Sequence, residues 1–427
     1  MILKHDIPAA PFSLNQGQSI AVAKLDAWRK DPHGPRFMSL TGPAGSGKTQ
    51  VLKHLVPVFG KKTVWSGTTG KAASRMREVV KVGARTVYAV LYHAPKEIDT
   101  GSKIDLLFED VRATLPKLLV VDESSMMTPR LKSHLDKSAY DRVLLVGDYF
   151  QLPPVLSKSE IEEQGEDYSV FSYVEGPYLD QVMRASGAVL DAATTIREKQ
   201  IIPTDDAEFG GSKYEYIRAD NHDECLGQAC VAWLDDRDDH ALITYTNNSR
   251  SIANEIIREQ LGYTDPVPQV GEPVVICKNV YKHDVMNSDI VFIDEWLKKG
   301  PALAGVETQY VRVLTSKGKD ARTFNILVPM RSFDGTLPYV GLDTWNKALA
   351  EAKVDSVVPI THGYCLTAHK CQGSEFRRAT TFLMGDLQNR GFTKSTSLPD
   401  GSTIPFSTRF LYSSATRARN HATIIIS

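Results

Sequence analysis

The residues best placed to do chemistry form a phosphate-binding loop near the start of the chain. The letters GPAGSGKT at residues 42–49 fit the pattern G-x-x-x-x-G-K-[ST]. The glycines let the backbone turn its N–H groups toward phosphate oxygens, the lysine reaches the β- and γ-phosphates, and the threonine hydroxyl holds Mg²⁺. We therefore expect a nucleoside triphosphate with Mg²⁺ to contact Gly42, Gly45, Ser46, Gly47, Lys48 and Thr49.

The segments on either side of this loop predict the strand and the helix that such a loop requires. Residues 36–41 form a short apolar run typical of a buried strand. After the loop, apolar residues recur at helical spacing at Val51, Leu52 and Leu55. A glycine-rich turn that matched the pattern by accident would need neither neighbour. We therefore interpret the loop as a phosphate site that opens a helix.

Two further groups of polar residues follow predicted strands. Asp122 and Glu123 come directly after the apolar run 118–121, and Gln151 follows the run 143–146. At the carboxyl ends of parallel strands, Asp122 can hold Mg²⁺ and Glu123 can deprotonate the attacking water, while Gln151 can sense that water or the γ-phosphate. Taken alone, the Asp–Glu pair could also be a solvated strand end, and the glutamine part of a plain turn closed by prolines.

Composition and charge narrow the class of protein. The chain has 427 residues, 42% hydrophobic and 24% charged, which is typical of a globular protein of about two or three domains. No apolar run approaches the ~18 residues that cross a membrane, and the first residues lack a signal-peptide pattern. Five cysteines without a C-x-x-C pair favour a reducing cytoplasm. With 50 Lys plus Arg against 51 Asp plus Glu, the balance counts mildly against a nucleic-acid partner but is compatible with a local basic groove.

The order of predicted elements indicates two α/β domains. Short β-rich runs alternate with helical stretches, which predicts parallel sheets. We expect a first domain over residues 1–180, with a small insertion at about 87–115. We expect a second domain over 181–427, ending in a strand at 423–426. Short β-prone runs separated by Gly, Pro, Asn and Asp predict a β-rich, barrel-like insertion at about 270–355.

The motifs, in this order and spacing, resemble those of superfamily 1 helicases of the RecD and phage Dda branch. LNQGQ at 14–18 resembles the family's adenine-reading motif, with Asn15 where threonine or serine is usual. The resemblance covers nearly the whole chain, and implies two RecA-like motor domains with ATP in the cleft between them and an SH3-like insertion in the second. The other matching segments are GPAGSGKT, DESSM, GDYFQLPPV, QVMR at 181–184, TAHKCQGSEF at 367–376 and YSSATRAR at 412–419.

The resemblance implies further roles in ATP binding and hydrolysis. Gln18 would read the adenine edge, and Glu375 would contact the nucleotide. Arg184 and Arg417 would be arginine fingers, because fixed guanidinium groups can neutralise the charge that develops on the γ-phosphate. Without the resemblance, a salt bridge on a helix surface would be the simpler interpretation of Arg184.

The resemblance also implies contacts with single-stranded DNA from both motor domains. Hydroxyls and amides can hold phosphates without formal charge, and an aromatic ring can stack on a base. A tyrosine stands at residue 88, where the family often has histidine. Taken singly, each threonine would be an ordinary cap at a strand end. The implied DNA-contacting residues are Thr69, Lys71, Thr86, Tyr88, Phe108, Thr246, Asn247, Thr367 and His369.

The small insertion is open to two interpretations. Pro95 and Gly101 indicate a turn between two short extended arms. In the resembling helicases a hairpin from this region splits the duplex, so Phe108 could stack on the base pair that opens. Phe108 could equally anchor the insertion to the core of the motor.

The resulting hypothesis is an ATP-dependent DNA helicase that moves 5′→3′ on single-stranded DNA and unwinds duplexes. The polarity rests on the resemblance alone. The resemblance also suggests a bacteriophage protein that works as a monomer in DNA replication in a bacterial cytoplasm, without a membrane. Its partners would be DNA forks and a single-strand-binding protein or other replication proteins. Two alternatives stay open: a P-loop ATPase that remodels a protein partner, and a nucleic-acid-binding module with a vestigial ATPase.

Overall fold

The elements of the computed structural model follow the alternation seen in the sequence. The described residues are 13–91, 96–99, 104–107, 118–165, 168–183, 187–318, 321–333, 340–388, 391–392, 394–397 and 401–427. The strands are β1 Phe37–Thr41, β2 Thr63–Gly67, β3 Ala84–Thr86, β4 Lys96–Asp99, β5 Ile104–Leu107, β6 Leu118–Asp122, β7 Arg142–Gly147, β8 Ala207–Phe209, β9 Ser212–Arg218, β10 His240–Thr244, β11 Pro273–Ile276, β12 Ile290–Lys299, β13 Thr308–Leu314, β14 Thr323–Pro329, β15 Ile360–His362, β16 Cys365–Thr367, β17 Phe376–Leu383, β18 Ser395–Ser397, β19 Thr403–Pro405 and β20 Ala418–Ile426. The helices are α1 Gln16–Lys30, α2 Lys48–Phe59, α3 Gly70–Arg75, α4 Val87–Leu91, α5 Pro129–Lys137, α6 Lys158–Gln164, α7 Ala188–Lys199, α8 His222–Asp235, α9 Asn247–Gln260, α10 Leu342–Ala352, α11 Ala368–Cys371 and α12 Phe406–Ala415. Within these ranges no helix is both long and apolar enough to cross a membrane.

The first sheet has five parallel strands in the order β1-β7-β6-β2-β3. Its apolar side chains divide between two cores, because successive residues of a strand point to opposite faces. In β6, Val120 belongs to the core that includes residues of α1 and α2, whereas Leu119 and Val121 belong to the core that includes residues of α4 and α5. Burial on both faces explains why β6 and β7 are continuous apolar runs in the sequence.

The parallel pairing brings the predicted motifs to one edge of this sheet. Thr41, at the end of β1, pairs with Gly147 at the end of β7. Gly67, at the end of β2, pairs with Asp122 at the end of β6 and with Thr86 at the end of β3. The phosphate loop and both polar motifs therefore leave the sheet at its carboxyl edge, where ligands bind in α/β folds.

The second sheet has six strands in the order β16-β10-β17-β20-β9-β8, parallel except for the edge strand β8. Cys225 and Trp233 of α8 and Ile257 of α9 are buried in its core. At its carboxyl edge, Thr244 of β10 pairs with Thr367 of β16. The predicted α/β fold with two RecA-like domains is therefore confirmed.

The segment from β11 to β15 forms a separate antiparallel sheet. Its five strands lie in the order β14-β13-β12-β11-β15. Val274, Val291 and Val311 share a core within this sheet. The β-rich insertion predicted at about 270–355 is therefore present, and its last strand reaches His362.

The small insertion contains the two extended arms that its sequence predicts. Lys96 of β4 pairs with Leu107 of β5, and Asp99 pairs with Ile104, so that the arms form an antiparallel hairpin. Phe108 lies outside the described residues. Its role as a pin or as an anchor stays a prediction.

The described residues group into two units that exchange two segments of the chain. The first unit comprises residues of 1–93, 110–186 and 394–409. The second comprises those of 94–109, 187–393 and 410–427. The hairpin of β4 and β5 is thus grouped with the second unit, and the hairpin of β18 and β19 with the first. The single boundary predicted near residue 180 does not account for either of these two exchanged segments.

Candidate nucleotide site and nucleic-acid contacts

The phosphate loop lies between β1 and α2, as the sequence predicts, and two of its glycines have no room for a side chain. Gly47 precedes α2 with a left-handed φ of 85°, and a Cβ there would lie 2.2 Å from Gln18 Nε2. A Cβ at Gly42 would lie 2.6 Å from the Leu179 carbonyl oxygen. These close approaches let neighbouring segments pack directly on the loop.

The side chains of the loop fit a phosphate ligand. Lys48 Nζ donates to the carbonyl oxygens of Gly42 at 2.6 Å and Pro43 at 3.0 Å, which holds the ammonium over the loop. The hydroxyls of Thr41 and Ser46 are buried, and neither has a hydrogen-bond partner among the described residues. Buried donors without a partner are costly unless a ligand or water accepts from them, so they support a bound phosphate.

Asp122 and Glu123 occupy the end of β6, beside the loop that follows β2. Glu123 has a left-handed φ of 53°, and its N–H donates to Asp122 Oδ1 at 2.9 Å. The Thr68 hydroxyl donates to the Glu123 carbonyl oxygen at 2.8 Å. Asp122 lies at the end of the strand, whereas Glu123 has a left-handed backbone. Because their backbone conformations differ, the two acidic side chains can have different roles.

The charge state of Asp122 reflects its surroundings. The pKa of its carboxyl is raised to about 6, first by burial and then by the neighbouring Glu123 carboxylate. The Lys48 ammonium opposes that rise. A cation bound beside Asp122 would remove the penalty of its ionised form, and this is the chemistry expected of a magnesium ligand.

The metal ligands predicted from the sequence are few, as is usual for protein-bound magnesium. Over the described ranges, no three His, Cys, Asp or Glu side chains are grouped as they would be for a metal held by protein alone. Mg²⁺ usually takes about one or two protein ligands and keeps several waters besides substrate phosphates. Thr49 and Asp122 stay the predicted ligands.

Gln151 is buried in the loop that follows β7. Its backbone N–H donates to the Asp148 carbonyl oxygen at 3.3 Å, and Asp148 Oδ1 accepts from the Phe150 N–H at 3.0 Å. The Ser125 hydroxyl lies 3.5 Å from Gln151 Oε1. These contacts hold Gln151 close to the turn that follows Asp122.

One buried arginine in the same unit was not predicted from its sequence pattern. Arg409, on α12, is 2% exposed, and its Nε has no hydrogen-bond partner among the described residues. Burial lowers the pKa of its guanidinium to about 10, and the carboxylate of Asp148 opposes that shift. The only signal in the sequence is an arginine directly before the apolar run 410–412, which is otherwise an ordinary helix pattern.

Gln18, the predicted adenine reader, is engaged with the protein itself. It is 3% exposed, and its Nε2 donates to the Ser46 carbonyl oxygen at 3.1 Å. Its Oε1 accepts from the Asn15 N–H, while its own N–H donates to Asn15 Oδ1, which together form the capping box of α1. Through its hydrogen bond with Ser46, Gln18 supports the phosphate loop.

The predicted DNA contacts of the first unit lie at or near the carboxyl edge of its sheet. Thr69 caps α3 by accepting from the Ala72 N–H at 3.1 Å, which leaves its O–H able to donate to a phosphate. Thr86 is buried at the end of β3 and accepts from the Ala89 N–H. Lys71 lies on α3. These positions lie at the end of β3 or shortly after β2 and β3, which are neighbouring strands.

Tyr88 is half-buried on α4. Its ring packs against the core on the α4 side of the sheet. Burial raises the pKa of its hydroxyl, which is hydrogen-bonded with the Thr128 side chain. Contact between this ring and a nucleic-acid base stays a prediction.

The residues of the second unit that are predicted to contact DNA lie at or near the starts of helices α9 and α11. Thr246 caps α9 by accepting from the Ser249 N–H at 3.0 Å, and Asn247 beside it is exposed. Thr367 is 8% exposed at the end of β16, and His369 follows on α11. The pairing of Thr244 with Thr367 places these two strand ends side by side.

Of the two predicted arginine fingers, the structure describes only Arg417. Arg184 lies outside the described residues. The Arg417 guanidinium is buried in the second unit, where it donates to the carbonyl oxygens of Ser413 at 2.9 Å and Ser374 at 3.0 Å. Its Nη2 also donates to the Thr416 hydroxyl. Glu375, the predicted nucleotide contact, follows Ser374 directly and precedes Phe376, whose N–H donates to the Arg417 carbonyl oxygen.

Comparisons with known proteins agree with these features. The sequence profile of the family described as AAA domain matches residues 13–202. The chain is 24% identical over 274 residues to the ATP-dependent DNA helicase Dda of Enterobacteria phage T4, covering 57% of each protein. It is 36% identical over 127 residues to the ATP-dependent RecD2 DNA helicase of Deinococcus radiodurans, covering 29% of this chain and 17% of the relative. The chain therefore spans little more than half the length of the first relative and less of the second.

Solved structures extend the likeness to the whole fold. A structure of Pif1 helicases described as unwinding forked double-stranded DNA matches with a TM-score of 0.56 and 18% identity, covering 96% of this chain and 92% of that one. The Bacteroides Pif1 helicase in complex with ADP-AlF3 and single-stranded DNA matches with a TM-score of 0.54, 18% identity and the same coverage. At this identity the likeness shows the fold alone.

A phosphate loop at the carboxyl edge of one parallel sheet, followed by a second parallel-sheet unit, defines a P-loop protein with two RecA-like domains. Over part of its length the chain is similar in sequence to the DNA helicases Dda and RecD2, and its fold is similar to that of the Pif1 helicases.

Proposed function

We propose that this protein is an ATP-dependent DNA helicase that moves 5′→3′ along single-stranded DNA and unwinds duplexes. The observation that carries the proposal is the common edge of the first sheet. There the phosphate loop, the Asp122–Glu123 pair and the Gln151 loop leave adjacent strands. The names of the relatives, which are DNA helicases, supply the substrate class.

The residues of the first unit account for ATP hydrolysis. Bound ATP supplies the phosphoryl group that is transferred to water. Lys48 would leave its loop carbonyls and neutralise charge on the β- and γ-phosphates. Thr49 and Asp122 would hold Mg²⁺, and Glu123 would take the proton of the attacking water. Gln151, held in place by its buried loop, would orient that water.

Contacts with single-stranded DNA would come from both units. Thr69 in the first unit and Thr246 and Thr367 in the second are hydroxyl residues at strand ends or helix starts, where phosphates bind. Alternating grip by the two units during ATP turnover would move the protein along one strand. Because hydroxyl groups hold phosphates without formal charge, a DNA partner is compatible with the formal net charge of −1.

The assay that tests the proposal is ATP turnover with and without single-stranded DNA. Strong stimulation is expected of the helicase. Turnover that ignores DNA would instead indicate an ATPase that remodels protein partners, and no turnover would indicate a vestigial site. Polarity needs a second assay, in which a duplex with a 5′ tail should be unwound and one with a 3′ tail should not.

The setting follows from the same proposal. A phage helicase of this type would act as a monomer on DNA forks in a bacterial cytoplasm, with a single-strand-binding protein or other replication proteins as partners. The five cysteines are free thiols, as expected in a reducing compartment.

A further inference from the structure

A cavity of about 920 Å³ lies in the first unit, at the edge of the sheet opposite the phosphate loop. Three strands begin at its wall, β2 at Thr63, β6 at Leu118 and β7 at Arg142. The phosphate loop and the polar motifs leave the sheet at its other edge, where the parallel strands end. The cavity is therefore separate from the candidate nucleotide site.

Cationic side chains outnumber carboxylates around this cavity. Two carboxylates line it, those of Asp31 and Asp141. The cationic residues that line it are Arg29, Lys30, Arg36, Lys61, Lys62 and Arg142. Because the whole chain has a formal net charge of −1, the cavity concentrates positive charge that the total does not reveal.

Two of the arginines are part of the framework of the cavity. Arg36 donates to the carbonyl oxygens of Asp136 at 2.6 Å and Ser138 at 2.6 Å, at the end of α5. Arg142 donates to the carbonyl oxygen of Asp31, which follows α1. Both guanidinium groups therefore satisfy carbonyl groups at helix ends, which have no partner within the helix.

Lys61 and Lys62 are cations that a ligand can reach. Arg29 and Lys30 share the carboxylate of Asp26, at 3.0 Å and 2.5 Å. Lys61 and Lys62, in contrast, are exposed in the turn between α2 and β2, and within the described parts of the chain neither side chain has an ion pair or a hydrogen bond. Since like charges at adjacent positions repel each other, a carboxylate bound beside them would stabilise both.

The walls of the cavity favour a peptide over DNA. The helices α1, α2 and α5 end here, and the carbonyl groups at a helix end carry partial negative charge. A peptide can donate backbone N–H groups to such oxygens while its carboxylates pair with lysines, whereas the backbone of DNA has only acceptors. The rings of Phe59 and Tyr140 in the wall are 7% and 4% exposed, so neither offers an open face to a base.

We propose that this cavity binds an acidic, extended segment of a partner protein, whose carboxylates pair with Lys61 and Lys62. Basic clusters recognise acidic motifs in this way, and complementary charge raises the rate at which partners associate. The segment is held at the edge away from the phosphate loop, so it does not compete with ATP. This inference goes beyond the proposed function, because the binding requires neither ATP nor DNA.

The test measures binding of an acidic peptide to the full chain by fluorescence anisotropy. The probe is a fluorescein-labelled peptide of about ten residues, glutamates with interspersed leucines, in about 0.1 M salt, where charges more than about 10 Å apart are largely screened. Lys61→Glu combined with Lys62→Glu should weaken binding about ten-fold or more, because repulsion replaces attraction. The control combines Lys24→Glu with Lys158→Glu, which changes the net charge equally at two exposed lysines outside the cavity and should leave the affinity nearly unchanged.

Three results would overturn the inference. The first is a wild-type protein that does not bind the probe, or that binds equally well a peptide with glutamine in place of glutamate. The second is an equal loss of affinity in both double variants, which would be an effect of net charge alone. The third is a DNA duplex that binds the wild type and is lost only in the variant of Lys61 and Lys62, without peptide binding, which would make the cavity a nucleic-acid surface.

ATP turnover with single-stranded DNA, measured on the same preparations, separates this inference from the proposed function. Both double variants should keep the turnover of the wild type, because the cavity lies away from the phosphate loop. A selective loss of turnover in the folded variant of Lys61 and Lys62 would contradict that separation. A wild-type protein whose turnover ignores DNA would contradict the proposed function, whereas peptide binding at the cavity would stand.

Discussion

Arg417 Nη1 donates a 3.0 Å hydrogen bond to the carbonyl oxygen of Ser374, within the second unit. The guanidinium predicted to act on the γ-phosphate is therefore held inside its own unit, by backbone oxygens that border Glu375. An arginine finger must exchange these partners for phosphate oxygens. Such an exchange costs little when each donor finds an acceptor in both states.

Arg417→Ala is expected to cut DNA-stimulated ATP turnover by about 10³-fold, the low end for an arginine finger. Because Arg417 is buried, thermal unfolding of the variant must be measured as well. Arg417→Lys keeps the charge but not the planar fork, and should also lose stimulation. The control is Arg419→Ala, which removes an exposed arginine paired with Asp239. Near-normal stimulated turnover in a folded Arg417→Ala protein would make this arginine structural.

Lys48→Ala is expected to abolish ATP hydrolysis, with a loss of hundred-fold or more of the kind seen when one phosphate-stabilising group is removed. Its ammonium already lies over the loop carbonyls of Gly42 and Pro43. Lys53→Ala on the same helix is the matched control and should keep its activity. More than about a tenth of wild-type turnover in Lys48→Ala would contradict a phosphate-stabilising role of this size.

Glu123→Gln is expected to bind ATP almost normally and to hydrolyse it very slowly. The amide keeps the shape of the side chain but cannot take the proton of the attacking water. Nucleotide affinity and single-turnover hydrolysis should be measured on the same preparation, with Glu162→Gln on the exposed side of α6 as control. A collapse of affinity with unchanged turnover of bound ATP would make Glu123 a binding residue.

The second unit is expected to lose stability in mild acid through His240. Its ring nitrogens lie 2.6 Å from the Asp236 carbonyl oxygen and 2.9 Å from the Thr380 hydroxyl. Burial lowers the pKa of His240 from 6.5 to about 4. The unfolded chain then binds a proton more tightly than the folded one, so this stability is complete above the unfolded pKa and is lost as pH falls from there toward the folded pKa.

The measurement is the free energy of unfolding at two pH values. Between about pH 7.5 and about pH 5, His240 alone should account for a loss of about 2 kcal/mol. In His240→Gln this part of the loss of unfolding free energy should be absent. In His33→Gln, which changes an exposed histidine of the first unit, the full loss should be measured. The same pH dependence in both variants would exclude His240 as its source.

The placement of the motifs in the first unit was predictable because it depends on local sequence. A phosphate loop needs a strand, a glycine turn and a helix in immediate succession, and residues 36–56 contain all three. Asp122 and Gln151 could be placed at the same edge because each follows a continuous apolar run, and parallel strands end together. The β-rich insertion could be predicted because Gly, Pro, Asn and Asp separate its short β-prone runs.

Pairings between distant segments were not predictable in the same way. The strand β9 joins the second sheet beside β20, the last strand of the chain, although some 200 residues separate His421 from its partner Lys213. Residues 394–409 are grouped with the first unit although they follow most of the second. Which distant segments pair depends on how both surfaces are buried, and no local pattern records it.

The sequence by itself determined that this chain carries a phosphate loop, an acidic pair and two α/β domains. Only the tertiary structure decided what the side chains of the site touch. It placed Gln18 against Ser46, Gln181 against Asn15 and Arg417 against Ser374. A residue type limits the hydrogen bonds that a side chain can make, but its partner is selected by the folded backbone, which brings donor and acceptor within about 3 Å of each other.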